Sequence, residues 1–404
     1  MIKFNLWMNC NHLHEINTTT MKKVLSFLVV SLVIFLLVSL MASAQDQGDT
    51  PGNSVAPQET FKAVVIQILE EKEITVTDEN GHEEKLKRQN LRLRGLAGTY
   101  KDKEFIVNLL DDQNSLNKAV YKVWDEVLVM YSADGQENGE FFITDFIRTK
   151  VLFWLFIGFA VSVLLVGRLK GLRSLVSLAL TFLVLIKFII PRILGGADPV
   201  IITVIGSIVI LVIIIYLTEG LNVKSHITAI SIFLSLLFTV YLSWLLIHLA
   251  NLSGLSNEEA GFIVNLGAKT LNLQGILLAG IIIGTLGALD DIIISQVATV
   301  EELNRTNLHQ SRTEILKKAL NVGVSHISAM ANTLFLAYAG AGLPLLILFV
   351  SGQSSFASWD AAINNEMLAT EIIRALAGTI GIVLSVPLAT IISVWWFKKD
   401  NQHI

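Results

Sequence analysis

Past Lys150 the chain carries seven stretches of mainly apolar residues, at 151–167, 172–190, 200–217, 227–249, 271–289, 324–350 and 372–397. A helix needs about 20 such residues to cross the hydrocarbon of a bilayer, where only helices and closed barrels satisfy every backbone polar group. No other feature narrows the fold as much. The larger part of the chain, 150–400, is expected to be a multi-pass bundle of transmembrane helices. Composition agrees: charged residues make up 16% and hydrophobic ones 53%, where soluble proteins carry roughly 25% charge. A formal net charge of −4 offers no basic surface and sets nucleic acid aside as a partner. The one cysteine, Cys10, excludes an intrachain disulfide and any cysteine-built metal or iron–sulfur centre.

Residues 1–20 are polar, and Met21-Lys22-Lys23 then opens an apolar run, 24–40, that closes on Ala42-Ser43-Ala44. A basic start, an apolar middle and a small-x-small ending are the grammar of a secretory signal. Met21 therefore reads as the initiator, 1–20 as an extension ahead of it, and 21–44 as a signal peptide. The competing reading is an uncleaved anchor, because the run exceeds the roughly 7–15 residues usual in a signal. Either way Lys22 and Lys23 stay cytoplasmic and the next segment is exported.

After a linker at 45–60, short alternating stretches follow at 61–69, 73–77, 84–93, 104–109, 124–131 and 140–143, separated by turn residues such as Asp78-Glu79-Asn80-Gly81 and Ala133-Asp134-Gly135. Period-two alternation predicts strands, and 61–148 a small β-barrel or sandwich. From Gln45 to Arg148 there are 20 acidic and 12 basic residues. Without a spaced Asp/Asn/Gly loop, Glu70-Glu71 and Asp111-Asp112 read as a solvated acidic face rather than calcium ligands.

Charge also orients the bundle. If the β domain lies outside, Arg168, Lys170, Arg173, Lys224, Arg305, Arg312, Lys317, Lys318, Lys398 and Lys399 fall inside, against Arg148, Lys150, Arg192, Lys269 and Arg374 outside. This agrees with the positive-inside rule, so 45–148 is expected to be extracytoplasmic and the C-terminus cytoplasmic.

Ionisable groups in spans are costly and mark candidate sites. Asp290 and Asp291 follow Gly280, Gly284 and Gly287, a small-residue face that lets a second helix approach. Beyond them 292–322 keeps helical spacing of apolar residues with Glu301, Glu302, Arg305, Lys317 and Lys318 polar, the pattern of an amphipathic cytoplasmic segment lying along the membrane face. The two carboxylates suit a proton or cation relay, and a solvated helix end is the plainer alternative. His326, Asn332 and Thr333 lie near the start and interior of the sixth stretch, which continues through Gly340 and Gly342 to Pro344; interhelical packing is the plainer reading there. In the last stretch Glu371 and Arg374 stand three apart on one face, suited to an internal ion pair, with Gly378, Gly381 and Pro387 beyond.

Three segments carry a resemblance: Gly284-Thr285-Leu286-Gly287-Ala288-Leu289-Asp290-Asp291; Asn332-Thr333-Leu334 with Tyr338-Ala339-Gly340-Ala341; and Glu371-Ile372-Ile373-Arg374 leading to Gly378 and Pro387. In these the chain resembles the YibE/F-like family of bacterial multi-pass membrane proteins. The resemblance implies a bacterial plasma-membrane protein with an exported amino-terminal domain, and it implies no chemistry. By analogy, an acidic helix end, an amphipathic inner segment and a helix rich in Ser, Asn and Thr are similar to one half of the proton-coupled permeases that include the SecD/SecF translocation accessories.

No HExxH, Gly-x-Gly-Asp, Gly-x-Ser-x-Gly or P-loop pattern occurs, so neither an enzyme nor an ATP-driven pump is expected. No cofactor or metal is expected either. Two readings stay open. One is an ion-coupled permease in which Asp290, Asp291, Asn332, Thr333, His326, Glu371 and Arg374 supply the polar path, and proton or cation is the coupling ion. The other is a non-transporting assembly or envelope-stress component, anchored in the lipid bilayer, whose β domain binds a protein partner.

Overall fold

The computed structural model describes residues 59–77, 83–110, 119–132, 140–256, 261–262, 271–306, 310–352 and 358–400. The extension at 1–20, the signal or anchor at 21–44, nearly all of the linker, Asp111-Asp112 and the two turns named above lie outside them. The chain forms two compact units, Gly48–Ser162 and the part from Val163 onward.

In the first unit the alternating stretches form β1 (Glu59–Thr77), β2 (Glu83–Gly95), β3 (Glu104–Asn108), β4 (Glu126–Ser132) and β5 (Glu140–Phe146). They make one antiparallel sheet in the order β3-β2-β1-β4-β5. Stretches 61–69 and 73–77, expected as separate strands, are one strand of 19 residues. Bulges between Val65 and Gln67 and between Ile68 and Glu70 bend it without breaking the ladder to β2. Phe61, Ala63, Val65, Leu91, Leu93, Val107, Val127, Val129 and Ile143 point inward and are buried. The sheet curls until its two edge strands meet, with the rings of Phe105 on β3 and Phe141 on β5 stacked at 4.3 Å.

Gln89 is the buried polar group of this core. Its amide accepts from the Tyr121 N–H at 2.8 Å and donates to the Tyr121 carbonyl at 3.1 Å, which fixes the strand-to-strand connection against β2. Its Nε2 also donates to Glu71, and this bond, with Lys87 beside it, holds the Glu71 carboxyl below the usual range. At the end of β5 the Asp145 carboxylate accepts from the Arg148 guanidinium and the Phe146 N–H, which likewise lower its pKa.

Among the described residues six helices are long and apolar enough to cross a membrane: α1 (Thr149–Leu194), α2 (Pro199–Thr218), α3 (Val223–Leu249), α4 (Leu273–Thr306), α5 (Arg312–Ala341) and α8 (Glu366–Asp400), the last counted to Phe397. Two shorter helices, α6 (Leu343–Ser351) and α7 (Trp359–Ile363), lie between α5 and α8. The chain is thus a polytopic helical membrane protein with a small β domain. Seven spans were expected, and the difference lies in α1. At 46 residues it is about 69 Å long, twice what a bilayer of about 30 Å needs. It breaks at Arg168, whose φ of 48° and ψ of −127° are non-helical, so stretches 151–167 and 172–190 fall on either side of the break. Gly171 permits the break, since a Cβ there would lie 2.3 Å from the Val163 carbonyl oxygen. Further on, Pro191 has no N–H for the preceding turn, and residues Leu185–Ile189 widen into a π-turn.

The helix starts follow local chemistry. Asp198 caps α2 by accepting from the Val200 and Ile201 N–H groups, Asn222 caps α3 through Ser225, and Ser311 with Glu314 forms a capping box on α5. That last box closes a helical hairpin rather than an in-plane segment. Of residues 292–322, expected along the membrane face, 292–306 are the second half of α4 and 312–322 the first third of α5. Ile293, Val297 and Val300 pack with Ile315 and Ala319 in the same core as the spans. A 34-residue helix is about 51 Å long, against about 30 Å for the hydrocarbon of a bilayer.

Helix α8 packs against α3, α4 and α5. Its contacts run through positions that lack side chains. A Cβ at Gly381 would lie 2.2 Å from the Thr239 Oγ1 of α3, and one at Gly378 would lie 3.3 Å from Thr285 Oγ1 of α4 and 3.4 Å from Leu334 of α5. On α5 a Cβ at Gly323 would lie 2.5 Å from Val386 of α8. Gly342 has looser neighbours, with Tyr338 O 3.4 Å and Glu371 Cγ 3.9 Å away. Of the glycine face expected on α4, Gly284 meets only the Tyr338 hydroxyl at 2.8 Å, while Gly280, Gly287 and, on α5, Gly340 have nothing within 4 Å. Gly381→Val is accordingly expected to destabilise the detergent-solubilised protein by the about 1–3 kcal/mol typical of overpacking, seen as a lower melting temperature. Gly287→Ala, in open space, is expected to leave it unchanged or raise it, as alanine is the better helix former by about 1 kcal/mol.

Candidate functional site

The first turns of α8 carry the ion pair that their spacing suggested. Arg374 Nη1 lies 3.1 Å from Glu371 Oε1, and each side chain is about a quarter exposed, at 26% and 27%. The start of this helix is fixed from a distance of more than a hundred residues. Glu366 accepts hydrogen bonds from the Ser253 N–H at 2.7 Å, the Ser253 hydroxyl at 2.8 Å and the Gly254 N–H at 3.0 Å, tying α8 to the chain leaving α3. Gly254 has φ +84° and a Cβ there would lie 2.6 Å from the Leu273 carbonyl, so the same turn also abuts the start of α4.

Facing this helix start is the junction of α5 and α6, where Gly342 and Pro344 end one helix and begin the next. Proline at the second helical position costs no hydrogen bond, and the stretch expected as one helix over 324–350 divides here. Between these elements lies a cavity of about 330 Å³ lined by Glu371, Arg374, Ser256, Pro344, Leu345 and Met367, among others. The Arg374 Nε is buried without a hydrogen-bond partner. The site therefore offers one compensated charge pair and one unpartnered donor in a mostly apolar wall, with Ser256 as a further polar group.

The other candidates lie elsewhere. Asp290 is half-buried and Asp291 exposed on α4, and among the described residues their side-chain bond is from the Asp291 N–H to Asp290 Oδ1 at 3.0 Å, within their own helix. Among the described residues no cation stands within ion-pair distance of either. Asn332 and Thr333 are exposed on α5, and the Thr333 hydroxyl bonds back to the Ala329 carbonyl. His326 is half-buried with its Nδ1 unpartnered. The structure thus brings together Glu371, Arg374 and Gly342, and it leaves Asp290, Asp291, His326, Asn332 and Thr333 outside that cavity. No group of three or more His, Cys, Asp or Glu side chains able to hold a metal ion occurs among the described residues.

One buried polar residue was not singled out by the sequence. Gln296 on α4 is fully buried, and its Nε2 donates to the Ala319 carbonyl of α5 at 2.9 Å and to the Thr390 hydroxyl of α8 at 2.7 Å. Its Oε1 has no partner. A signal for it existed: Gln296 continues the spacing of Leu289, Ile292 and Ile293 on the inward stripe, where a polar side chain must find a bond across helices. Reading 292–322 as a surface segment concealed it. The contacts Thr285–Gly378 and Gln296–Thr390 also show that α4 and α8 run parallel.

The β unit and the helical unit match separate family descriptions. Residues 57–146 match the YibE/F family N-terminal domain, and residues 155–399 match YibE/F-like protein. No curated protein and no solved structure matches the chain. The second match covers more than half of the chain, including the cavity, the ion pair and the Gln296 node, and the chain belongs to the YibE/F-like family.

Proposed function

We propose that this protein is an ion-coupled permease of the bacterial plasma membrane, without enzymatic activity, whose transit site is the cavity beside Glu371 and Arg374. The observation that carries this reading is the 3.1 Å ion pair in the wall of a mostly apolar cavity within a helix of span length. Charged groups in spans are rare outside ion and substrate paths. The parallel run of α4 and α8 adds a second depth. With Thr285 level with Gly378, Asp290 lies roughly 18 Å further along the bundle than Glu371, at about 1.5 Å per residue. Two carboxylates without a protein cation at that depth suit a proton or cation that neutralises them in transit. In this reading residues 45–148 are extracytoplasmic, the C-terminus is cytoplasmic, and the ion pair guards the outer end of the path while Asp290 and Asp291 serve the inner end.

The alternative is a non-transporting assembly component whose exported domain binds a partner. It is favoured by one observation: α5 is a span whose Ser325, Ser328, Asn332 and Thr333 are all exposed. Lipid offers asparagine no hydrogen bond, and a neighbouring protein helix does.

Two measurements test the permease. In a deletion strain complemented at equal membrane expression, proton flux measured as the rate of internal pH change is expected to be lost with Asp290→Asn combined with Asp291→Asn. Flux equal to wild type in that variant, or no flux with wild type, removes the coupling role and favours the assembly reading. For the ion pair, Glu371→Gln alone is expected to cost about 1–3 kcal/mol of stability in thermal unfolding, because it leaves Arg374 uncompensated. Glu371→Gln with Arg374→Gln is expected to recover much of that loss while still abolishing transport. A double variant that transports normally confines the pair to a structural role.

A further inference from the structure

The loop entering β4 holds a residue in a conformation its side chain does not favour. Trp124 stands at φ 79°, in the left-handed region that a bulky residue occupies only when its surroundings impose it. They do so here. The Trp124 N–H donates to the Val65 carbonyl at 2.8 Å, the Val65 N–H donates to the Asp125 carbonyl at 2.9 Å, and the Asp125 carboxylate accepts from the Lys122 N–H at 2.7 Å. Glycine would adopt this backbone without strain. The chain instead places a tryptophan there and displays it, 77% exposed, with Val120 at 44% and Val123 at 41% on the same short loop. Among the described residues of the β unit no packing accounts for a strained, exposed tryptophan.

What lies next to the loop indicates what covers it. Two residues after Trp124, the Glu126 carbonyl accepts from the Ile147 N–H at 2.8 Å and the Glu126 carboxylate pairs with Lys150 at 2.5 Å. Val127 is paired with Phe146, the last residue of β5, and α1 begins at Thr149. The first turns of α1 are apolar and open, with Val151, Phe153 and Trp154 each more than half exposed. The aromatic loop and the entry of the first span therefore share one end of the β4–β5 pair, separated by a few Cα steps of about 3.8 Å each, while β1 and β2 continue past that level to Thr77 and Glu83. Tryptophan is enriched where bilayer hydrocarbon meets headgroups, since its ring is apolar and its N–H seeks a polar partner. Lys122 on the same loop adds a charge suited to lipid phosphate.

We propose that Val120, Val123 and Trp124 form a bilayer-contacting rim, which rests the β domain on the surface of the membrane that its own first helix enters. Lipid is favoured over a protein partner by the continuity of the loop with the start of α1.

The test uses the full chain with Cys10→Ser, reconstituted in phosphatidylcholine and phosphatidylglycerol vesicles, with a nitroxide on Val123→Cys and Trp124 kept. A control label on Thr99→Cys stands at the other end of the sheet, where the Thr99 N–H bonds Glu59. Collision with oxygen is expected to exceed collision with a water-soluble nickel chelate severalfold at 123, and the reverse is expected at 99. Adding Trp124→Gly, which suits the positive φ, is expected to leave the melting temperature unchanged or higher and yet turn position 123 towards the nickel chelate. A label at Val120 gives the same reading if one at Val123 disturbs the loop. Nickel-favoured collision at 123 with Trp124 present overturns the proposal, as does shielding from both reagents, the mark of a protein cover. So does an unchanged position 123, or a lower melting temperature, in the Trp124→Gly variant.

Discussion

Helices in a bilayer gain little from hydrophobic burial against one another, because lipid is as apolar as their side chains, so their association depends on how closely backbones approach. In this protein that constraint is met around α8. Gly381 against Thr239 and Gly323 against Val386 are places where a single added carbon would collide with a neighbour, and at Gly378 it would press tightly on Thr285 and Leu334. Through them α8 packs on α3, α4 and α5 at once. The placement of Glu371, Arg374 and Thr390 follows, since α8 carries all three, Thr390 as the far end of the Gln296 link.

Six buried hydroxyls are satisfied within their own helices, whereas those of Ser177, Thr203, Ser207, Thr228, Ser231, Ser243 and Thr370 find no partner among the described residues. Ser235, Thr239, Thr285, Ser385, Thr390 and Ser393 each bond to a carbonyl three or four residues earlier on their own helix. Such back-bonding lets a small polar residue occupy a tight interface without an unsatisfied group. Gln296 is different, because its amide reaches two other helices and thereby sets their register along the membrane normal. Glu366 does comparable work at the opposite end, holding the turn at Ser253 and Gly254. The cavity between them and α6 is thus bounded by elements fixed at both ends.

Several elements were legible in the sequence because one dimension suffices to encode them. Apolar length marked the spans, period-two alternation marked the strands, and the three-residue spacing of Glu371 and Arg374 marked their pairing. Where the reading departed from the structure, the cause was an interaction that spacing does not carry. Bulges joined 61–69 to 73–77 because β2 continues the ladder across them. The hairpin of α4 and α5 replaced an in-plane segment because the apolar stripe over 292–322 is covered by its own partner helix. Gly280 and Gly287 have the spacing of a packing face, yet among the described residues no atom lies within 4 Å of a Cβ placed at either, and only Gly284 between them meets α5, at Tyr338.

By itself, the sequence determined that this is a membrane-embedded helical chain with a small β domain ahead of it, because the cost of exposing backbone in lipid leaves no other fold for runs of that length. It also determined which ionisable residues sit in spans. Tertiary structure alone decided which of these meet. Glu371 and Arg374 line a cavity because α6 and the turn after α3 converge on the start of α8, whereas Asp291 and Asn332 are exposed and Asp290 is half-buried among the described residues, away from that cavity. Which face of a helix is covered depends on where backbones can approach within contact distance, and that is a property of pairs of helices, not of any one segment.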